Sequence, residues 1–305
     1  MKPLHLFLLL ALAALWGGSY LCIRIAAPVL GSLVVVALRV GLACLALLGY
    51  AALRRDLPDL RARWRPFLIL GLLNNALPFL LIANAVTSLN ASVGAILNAT
   101  TPLFTAIIAA IWLGEAFTVR RATGVALGIG GVAIIVGWSP LPSSGDTVVA
   151  VAQALIAALS YGLAAVYARR HFARSQPLHT AVGQLAGSSA ILVPLALAAP
   201  PSAPPPREVA LAVMVLALAC TALGYLIYFQ LIAGAGATQA ATVTFLIPCF
   251  SILWGATLLG EPLGIGLGVG MAVILVGVWL VIRPPRSASA TRHGDPGPAA
   301  PNGAP

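Results

Sequence analysis

Two stretches of this 305-residue chain repeat one another: residues 97–131, LNATTPLFTAIIAAIWLGEAFTVRRATGVALGIGG, and residues 243–277, VTFLIPCFSILWGATLLGEPLGIGLGVGMAVILVG. The offset that aligns Pro102 with Pro248, 146 positions, also aligns Leu113-Gly114-Glu115 with Leu259-Gly260-Glu261. An internal repeat determines the architecture before any local pattern does. Each half contains five long apolar segments, and an odd number of membrane crossings leaves the following copy upside down. The sequence therefore predicts two inverted five-helix repeats.

The composition places these repeats in a membrane. Hydrophobic residues make up 60% of the chain and charged residues 8%, whereas a typical soluble domain has about 25% charged residues. The mean hydropathy is +1.01, and the apolar runs approach the roughly 20 residues that a helix needs to cross the bilayer. We predict an all-α integral membrane protein with ten transmembrane helices. The predicted bounds are 4–22, 31–53, 66–86, 91–113, 121–138, 147–168, 178–199, 208–232, 238–259 and 263–282.

Clusters of proline and glycine divide the chain, because these residues punctuate helices. We predict a first repeat over residues 1–138, a linker over 139–146, a second repeat over 147–282 and a disordered cytoplasmic tail over 283–305, which is too polar and too broken to pack. The first helix has the basic start and apolar run of a signal peptide. We expect it to be retained, since its removal would leave four helices against five.

The basic residues predict the orientation. With the amino terminus inside, 14 of the 17 Lys and Arg residues fall in cytoplasmic segments, as the positive-inside rule requires. Both termini are then cytoplasmic, in the inner membrane of what the Arg- and Ala-rich composition indicates is a bacterium. The net charge of +10 reflects these topology signals and contacts with anionic lipids, so no nucleic-acid partner is expected.

Metal, cofactor and enzyme chemistry are not predicted. The cysteines (Cys22, Cys44, Cys220 and Cys249) form no CxxC pair and do not cluster with histidine, so neither a disulfide framework nor a metal site is expected. The four histidines supply no nucleophile–base set at membrane depth. We expect no cofactor, and we favour a carrier over a membrane enzyme or a sensor.

Several short segments, taken in order, resemble EamA-type repeats of the drug/metabolite transporter superfamily. They are ALWGGS (14–19), ALR (37–39), ASVGAIL (91–97) with Pro102 and LGE (113–115), and ATQAA (237–241) with Pro248 and LGE (259–261). The resemblance covers roughly residues 4–282. It implies a ten-helix carrier built from 5+5 inverted repeats, often an exporter of amino acids or related metabolites.

Inverted repeats place a substrate site where the two halves meet. Polar and aromatic residues at mid-depth are therefore the candidate cavity lining, with hydrogen bonding between helices as the alternative role for each of them. The predicted substrate-binding residues are Trp16, Ser19, Tyr20, Asn75, Phe79, Asn98, Thr101, Tyr161, Tyr225 and Tyr228. Trp16 and Tyr161 are favoured, because they occupy corresponding positions in the two halves.

Five further residues are predicted to act in structure or gating. Arg39 is ionisable at membrane depth, which marks it as a functional candidate; it either binds a substrate anion or locks helix packing, and the sequence favours packing. Glu115 and Glu261 are expected to cap the helix that follows each of them or to hold the loop in place, with gating or proton binding as the alternative. Pro102 and Pro248 permit helix bends.

These features together predict a secondary carrier, expected to be an exporter, that moves amino acids or similar zwitterionic or neutral metabolites by alternating access. The alternatives are a nucleotide-sugar or phosphate-ester exchanger and a drug exporter. No Asp or Glu lies in the middle of a predicted helix, so proton coupling is not expected. The predicted partners are a small-molecule substrate and the lipid bilayer. The chain is expected to be a monomer, or a homodimer formed through its Gly-x-x-x-Gly ladders.

Overall fold

The computed structural model describes residues 3–138, 145–201 and 203–282. Most of the predicted linker and all of the predicted tail lie outside these residues. The described part is helical, with no strand, and contains ten helices long and apolar enough to cross a membrane. They are α1 (Pro3–Leu30), α2 (Ser32–Leu53), α3 (Trp64–Ser88), α4 (Ala91–Leu113), α5 (Val119–Trp138), α6 (Gly145–Phe172), α7 (Pro177–Leu197), α8 (Arg207–Ala235), α9 (Gln239–Leu259) and α10 (Ile265–Ile282). The predicted fold class is confirmed.

Four helices are at least four residues longer than the sequence predicts. Helices α1 and α6 each have 28 residues, α8 has 29 and α3 has 25, so the predicted bounds 4–22, 147–168, 208–232 and 66–86 were too short. The predicted end of α1 fell just before Arg24, a charged residue. In the structure Arg24 stays helical, because its guanidinium donates to the Val86 and Thr87 carbonyls at the end of α3, at 2.6 and 2.7 Å.

The duplicated Leu-Gly-Glu motif ends a helix in the same way in both halves. Gly114 and Gly260 adopt left-handed φ angles of 68° and 63°, which a residue without Cβ adopts at no steric cost. The next N–H then folds back onto the helix: Glu115 N donates to Ala109 O at 3.3 Å and Glu261 N to Gly255 O at 3.0 Å. Each of these bonds closes the helix end after a left-handed glycine, a common way for a helix to end. The motif therefore places each glutamate just beyond its helix.

Packing between the halves follows a pseudo-twofold pattern. Helix α1 packs on α9 as α6 packs on α4, and α1 packs on α8 as α6 packs on α3. Helix α2 packs on its own counterpart α7, and α5 packs on α10. Exchange of the two repeats leaves this set of contacts unchanged, as the inverted-repeat prediction requires.

Glycines allow the closest of these approaches. A Cβ placed on Gly17 would lie 2.8–2.9 Å from Phe250, Ile247 O and Ser251 N of α9, and one on Gly162 would lie 3.0 Å from Thr105 N of α4. Glycines of α5 and α10 meet in the same manner, since a Cβ on Gly124 would lie 2.6 Å from Gly277 O. These small-residue positions thus pack helices within the chain.

Helices α3 and α8 each contain a π-helical segment in the corresponding region, Leu72–Ala76 and Val215–Leu223. Such segments are rare and occur frequently at functional sites. Asn75 lies in the first and Thr221 in the second. Both segments contribute side chains beside the centre of the bundle.

Candidate substrate cavity

A cavity of about 660 Å³ lies between the two repeats. Its size is within the range of small-molecule sites, which are clefts of roughly 300–1,000 Å³. Eight of the ten helices supply its mid-depth wall, and α5 and α10 contribute only near one end. The polar and aromatic lining residues include Trp16, Ser19, Tyr20, Arg39, Asn74, Phe79, Asn98, Thr101, Thr105, Tyr161, Thr180, Gln184, Thr221, Tyr225, Tyr228, Phe229 and Thr244.

Nine of the ten residues predicted to bind substrate lie in this lining. They are Trp16, Ser19, Tyr20, Phe79, Asn98, Thr101, Tyr161, Tyr225 and Tyr228. Asn75 does not line the cavity: it is fully buried behind the wall, where its Oδ1 accepts a hydrogen bond from the Tyr225 hydroxyl at 3.1 Å. The sequence pattern could not distinguish Asn74 from Asn75, because the π-helical segment changes which of the two faces the centre.

Two aromatic pairs line opposite walls. Trp16 of α1 contacts Tyr228 of α8, with ring centroids 5.4 Å apart, and Tyr161 of α6 meets Phe79 of α3 edge-on at 6.4 Å. Both separations lie in the range of favourable aromatic contacts. The structure therefore places Trp16 and Tyr161 in corresponding positions, each paired with a ring from the opposite repeat.

Arg39 lies in the cavity wall at 6% exposure. Its Nε donates to Thr221 Oγ1 at 2.9 Å, and Thr221 Oγ1 in turn donates to Leu216 O within the π-helical segment of α8, at 2.7 Å. The guanidinium carbon lies 3.6 Å from the centroid of the Phe79 ring, an arrangement that favours a cation. These contacts fix the position of the side chain from two helices.

A neutral pair occupies the repeat-related position. Gln184 of α7 lies in the wall, and Asn74 Nδ2 of the α3 π-helical segment donates to its Oε1 at 2.7 Å. Arg39 joins α2 to α8 as Gln184 joins α7 to α3. Thr221 was not predicted from the sequence. The repeat offset of 146 does point near it, because it maps Asn74 onto the adjacent residue, Cys220.

The prolines differ in their relation to the cavity. Pro102 lines it, and α4 is interrupted just before, at Ala99 and Thr100. The Asn98 carbonyl, which a proline at this position leaves without its helical N–H donor, accepts a hydrogen bond from Thr101 Oγ1 at 2.7 Å. Pro248 is buried inside α9 and is not part of the wall.

Charged residues surround the end of the cavity beside Glu115. Arg169 Nη1 donates to Glu115 Oε1 at 2.8 Å, and Arg121 Nη2 lies 3.3 Å from Oε2. The hydrogen bond from Arg169, supported by Arg121, holds the pKa of the Glu115 carboxyl below its usual value. The carboxylate therefore stays ionised at neutral pH, and its contribution to stability is lost only as the pH falls through that lowered pKa. The wall here reaches exposed residues such as Arg169, Ala241 and Ile282, so the cavity opens at this end.

The opposite end is closed through Glu261. Its Oε1 accepts a hydrogen bond from Ala91 N at 2.7 Å, and its Oε2 accepts from Ser92 N and Ser92 Oγ at 3.2 and 2.7 Å. Ser251 Oγ of α9 also donates to the Ala91 carbonyl, at 3.1 Å. Glu261 thus caps α4 of the other repeat, and the prediction that it caps the following helix was wrong. Glu115, for which capping or loop holding was predicted, contacts Arg121 and Arg169.

No group of three or more His, Cys, Asp or Glu side chains that could hold a metal occurs among the described residues. The wall combines aliphatic side chains with aromatic, hydroxyl and amide groups, and it has charges at Arg39 and at the open end. Such a surface can bind and orient a small organic solute.

The EamA-like transporter family matches residues 4–137 and again residues 148–283. The uncharacterized transporter YvbV of Bacillus subtilis is 28% identical over 90% of this chain and 90% of its own length. An uncharacterized transporter of Archaeoglobus fulgidus is 22% identical over 88% of this chain and 95% of its own. A WAT1-related chloroplastic protein of Arabidopsis thaliana is 24% identical over 87% of this chain and 66% of its own. One solved crystal structure has the same fold, with a TM-score of 0.66 at 17% identity, over 92% of this chain and 97% of the other.

Proposed function

The chain belongs to the EamA-like transporter family, and from this premise we propose that it exports amino acids or similar small metabolites across the inner membrane by alternating access. That the chain is a multi-pass membrane transporter follows from the family and from its ten apolar helices. Export by alternating access is supported by the central cavity, which is open beside Glu115 and closed beside Glu261. A single path closed at one end is what alternating access requires.

The distribution of arginines indicates which side of the membrane the open end of the cavity faces. The loops and helix ends on the Glu115 side contain most of the arginines, including Arg54, Arg65 and Arg170, and the positive-inside rule assigns that side to the cytoplasm. The described state is then inward-open, ready to take solute from the cytoplasm. Both termini lie on this side.

The two repeat-related glutamates suggest how the ends alternate. Glu261 caps the start of α4, and the repeat offset maps that start onto residues 237 and 238, in the short helical turn Ala237–Ala241 that leads into α9. In the outward-open state we expect Glu115 to leave Arg121 and Arg169 and to cap α9, while Glu261 releases α4. One charge-assisted contact replaces another, so the two states can remain close in free energy.

The phosphate-ester exchanger is less well supported. A dianionic phosphate needs several cations at once, and the cavity wall contains three arginines. Two of these, Arg121 and Arg169, are already bound to Glu115. One arginine free of carboxylate suits a solute with a single anionic group, or a zwitterion.

Flux through the purified protein tests this function. Liposomes containing the protein are loaded with a panel of amino acids, other monocarboxylates, phosphate esters and cationic drugs, and efflux is measured with the proton gradient collapsed. We expect amino-acid-like solutes to leave faster than from empty liposomes, because the described membrane helices contain no mid-depth carboxylate to couple protons. Efflux of phosphate esters or cations alone would contradict the proposal.

Reporter fusions test the orientation. A reporter fused after Ser143 is expected to be active only in the periplasm, and one fused at Gly236 only in the cytoplasm, because an odd number of crossings separates the two sites. The measurement is paired alkaline phosphatase and fluorescent protein activity in intact cells. A periplasmic result at Gly236 would contradict the proposed orientation of the second repeat.

A further inference from the structure

Arg39 is a buried cation with no carboxylate beside it among the residues that the structure describes. In the described chain its Nε donates a hydrogen bond to Thr221, and its guanidinium lies over the ring of Phe79. No described group accepts a hydrogen bond from its two terminal nitrogens. The acidic residues of the described chain all lie in loops or in the first turn of a helix; they are Asp56, Asp59, Glu115, Asp146, Glu208 and Glu261.

A lone charge at this depth is costly. Ionisable groups inside a membrane protein are rare, and they mark substrate or ion pathways when they face a water-filled cavity. Arg39 is 6% exposed, and the surface that it does expose belongs to the cavity. An anion entering the cavity would supply the missing partner.

The second repeat shows that the charge is not needed for helix packing. Gln184 makes the equivalent connection, from α7 to the π-helical segment of α3, through a neutral hydrogen bond with Asn74. A glutamine is therefore sufficient to join these helices. Helix packing therefore does not explain the positive charge of Arg39.

The electrostatics of the whole wall agree with an anionic ligand. Its charged residues are Arg39, Glu115, Arg121 and Arg169, so three positive charges and one negative charge leave a net charge of +2. A cleft of one sign concentrates ligands of the opposite sign. Since Glu115 holds the other two arginines, the guanidinium of Arg39 is the one left to pair with a ligand among the described lining residues.

We propose that Arg39 is the binding subsite for a carboxylate of the transported solute, so that the substrates are monocarboxylates, amino acids included, with an apolar or aromatic body. The two terminal nitrogens of the guanidinium form a fork that matches the two carboxylate oxygens. Tyr20, Tyr161 and Tyr225 line the same cavity and are placed to contact the body of the solute. This proposal rests on the proposed transport function and departs from the packing role that the sequence alone favours for Arg39.

Binding of benzoate tests the subsite separately from transport. Radiolabelled benzoate is bound to the full chain in lipid nanodiscs, with empty nanodiscs as the blank, and is competed with unlabelled benzoate or with benzamide, which has the same shape without the charge. We expect benzoate to compete at least about tenfold better than benzamide, as the loss of a charge-assisted hydrogen-bond pair implies. Equal competition by benzamide, or no benzoate binding above the blank, would overturn the proposal.

Substitutions assign the effect to Arg39. Arg39→Gln copies the neutral side chain of the other repeat, so we expect normal gel-filtration behaviour and benzoate affinity at least about tenfold lower. Arg39→Lys should retain part of the affinity, because the charge remains. Arg207→Gln is the matched control, since it removes the same charge from an exposed residue outside the cavity.

Benzoate binding by folded Arg39→Gln at the wild-type level would overturn the proposal even if the wild type discriminates against benzamide. If Arg39→Gln fails to fold, the comparison of benzoate with benzamide on the wild type decides alone. Benzoate binding through Arg39 without any solute flux in liposomes would support the subsite while contradicting the proposed function. Flux of amino acids that is unchanged in Arg39→Gln would support the proposed function while contradicting the subsite.

Discussion

Replacing Gly17 with alanine is expected to prevent most of the protein from folding. Helix α1 touches α9 at this residue, where a Cβ would lie 2.8 Å from Phe250 Cβ and 2.9 Å from both Ile247 O and Ser251 N. Two of these three atoms belong to the backbone and cannot turn away. Forced overlap in a packed core typically costs about 1–3 kcal/mol, and here the separation of the helices must change as well.

The neighbouring residue provides a matched control. A Cβ on Gly18 would meet only the Trp254 side chain, at 3.6–3.7 Å, which is ordinary van der Waals contact. Gly18→Ala should therefore fold like the wild type, while Gly17→Ala yields little monodisperse protein after detergent extraction and a lower melting temperature in what remains. Equal yields and melting temperatures for the two variants would show that α1 and α9 do not approach each other as described.

Replacing Glu261 with glutamine is expected to slow transport by about tenfold or more, if each hydrogen bond to a charged group contributes roughly 1.5–3 kcal/mol. The carboxylate accepts three hydrogen bonds from Ala91 and Ser92, and an amide can offer only its single oxygen to those donors. The state closed at this end then loses stability, so fewer molecules accept solute from the cytoplasm.

Glu208→Gln is the control for this variant, because Glu208 is an exposed acid in the first turn of α8. It removes the same charge and should leave the initial rate of solute counterflow in liposomes close to that of the wild type. The variants are compared at equal amounts of folded protein. An unchanged rate for Glu261→Gln would mean that its contact with α4 does not control the cycle.

The repeat predicted the fold because membrane helices and their inversion depend on apolar length and on an odd count of crossings, and both can be read from the sequence. Most of the cavity lining was predicted as well, since Trp16, Tyr161 and their neighbours are polar or aromatic residues in otherwise apolar helices. The remaining contacts depend on tertiary packing and could not be predicted. The bond from Glu261 to Ala91 joins residues 170 positions apart, and a cap on a distant helix leaves no local pattern.

Arg39 shows the same limit at the centre of the cavity. The sequence marked it as an ionisable group at depth but could not show what surrounds it, and packing and substrate binding were both consistent with the pattern. The structure adds the partner Thr221, the Phe79 ring and the neutral Gln184–Asn74 connection. The π-helical segments that position Asn74 and Thr221 cannot be inferred from apolar periodicity. A π-helix forms i→i+5 hydrogen bonds and an α-helix i→i+4 hydrogen bonds, and this shift is too small to read from the spacing of apolar residues.

Paired distance measurements at the two ends of the cavity test most directly whether the glutamate contacts alternate. Spin labels are placed at Ser88 and Leu263 beside Glu261, and at Phe117 and Gln239 beside Glu115, all exposed positions, after replacement of the four native cysteines by alanine. In Glu261→Gln we predict that the Ser88–Leu263 distance distribution shifts to longer values while the Phe117–Gln239 distribution shifts to shorter ones. If both distances lengthen, or if the two ends change independently, the cavity does not alternate through exchange of the Glu261 and Glu115 contacts.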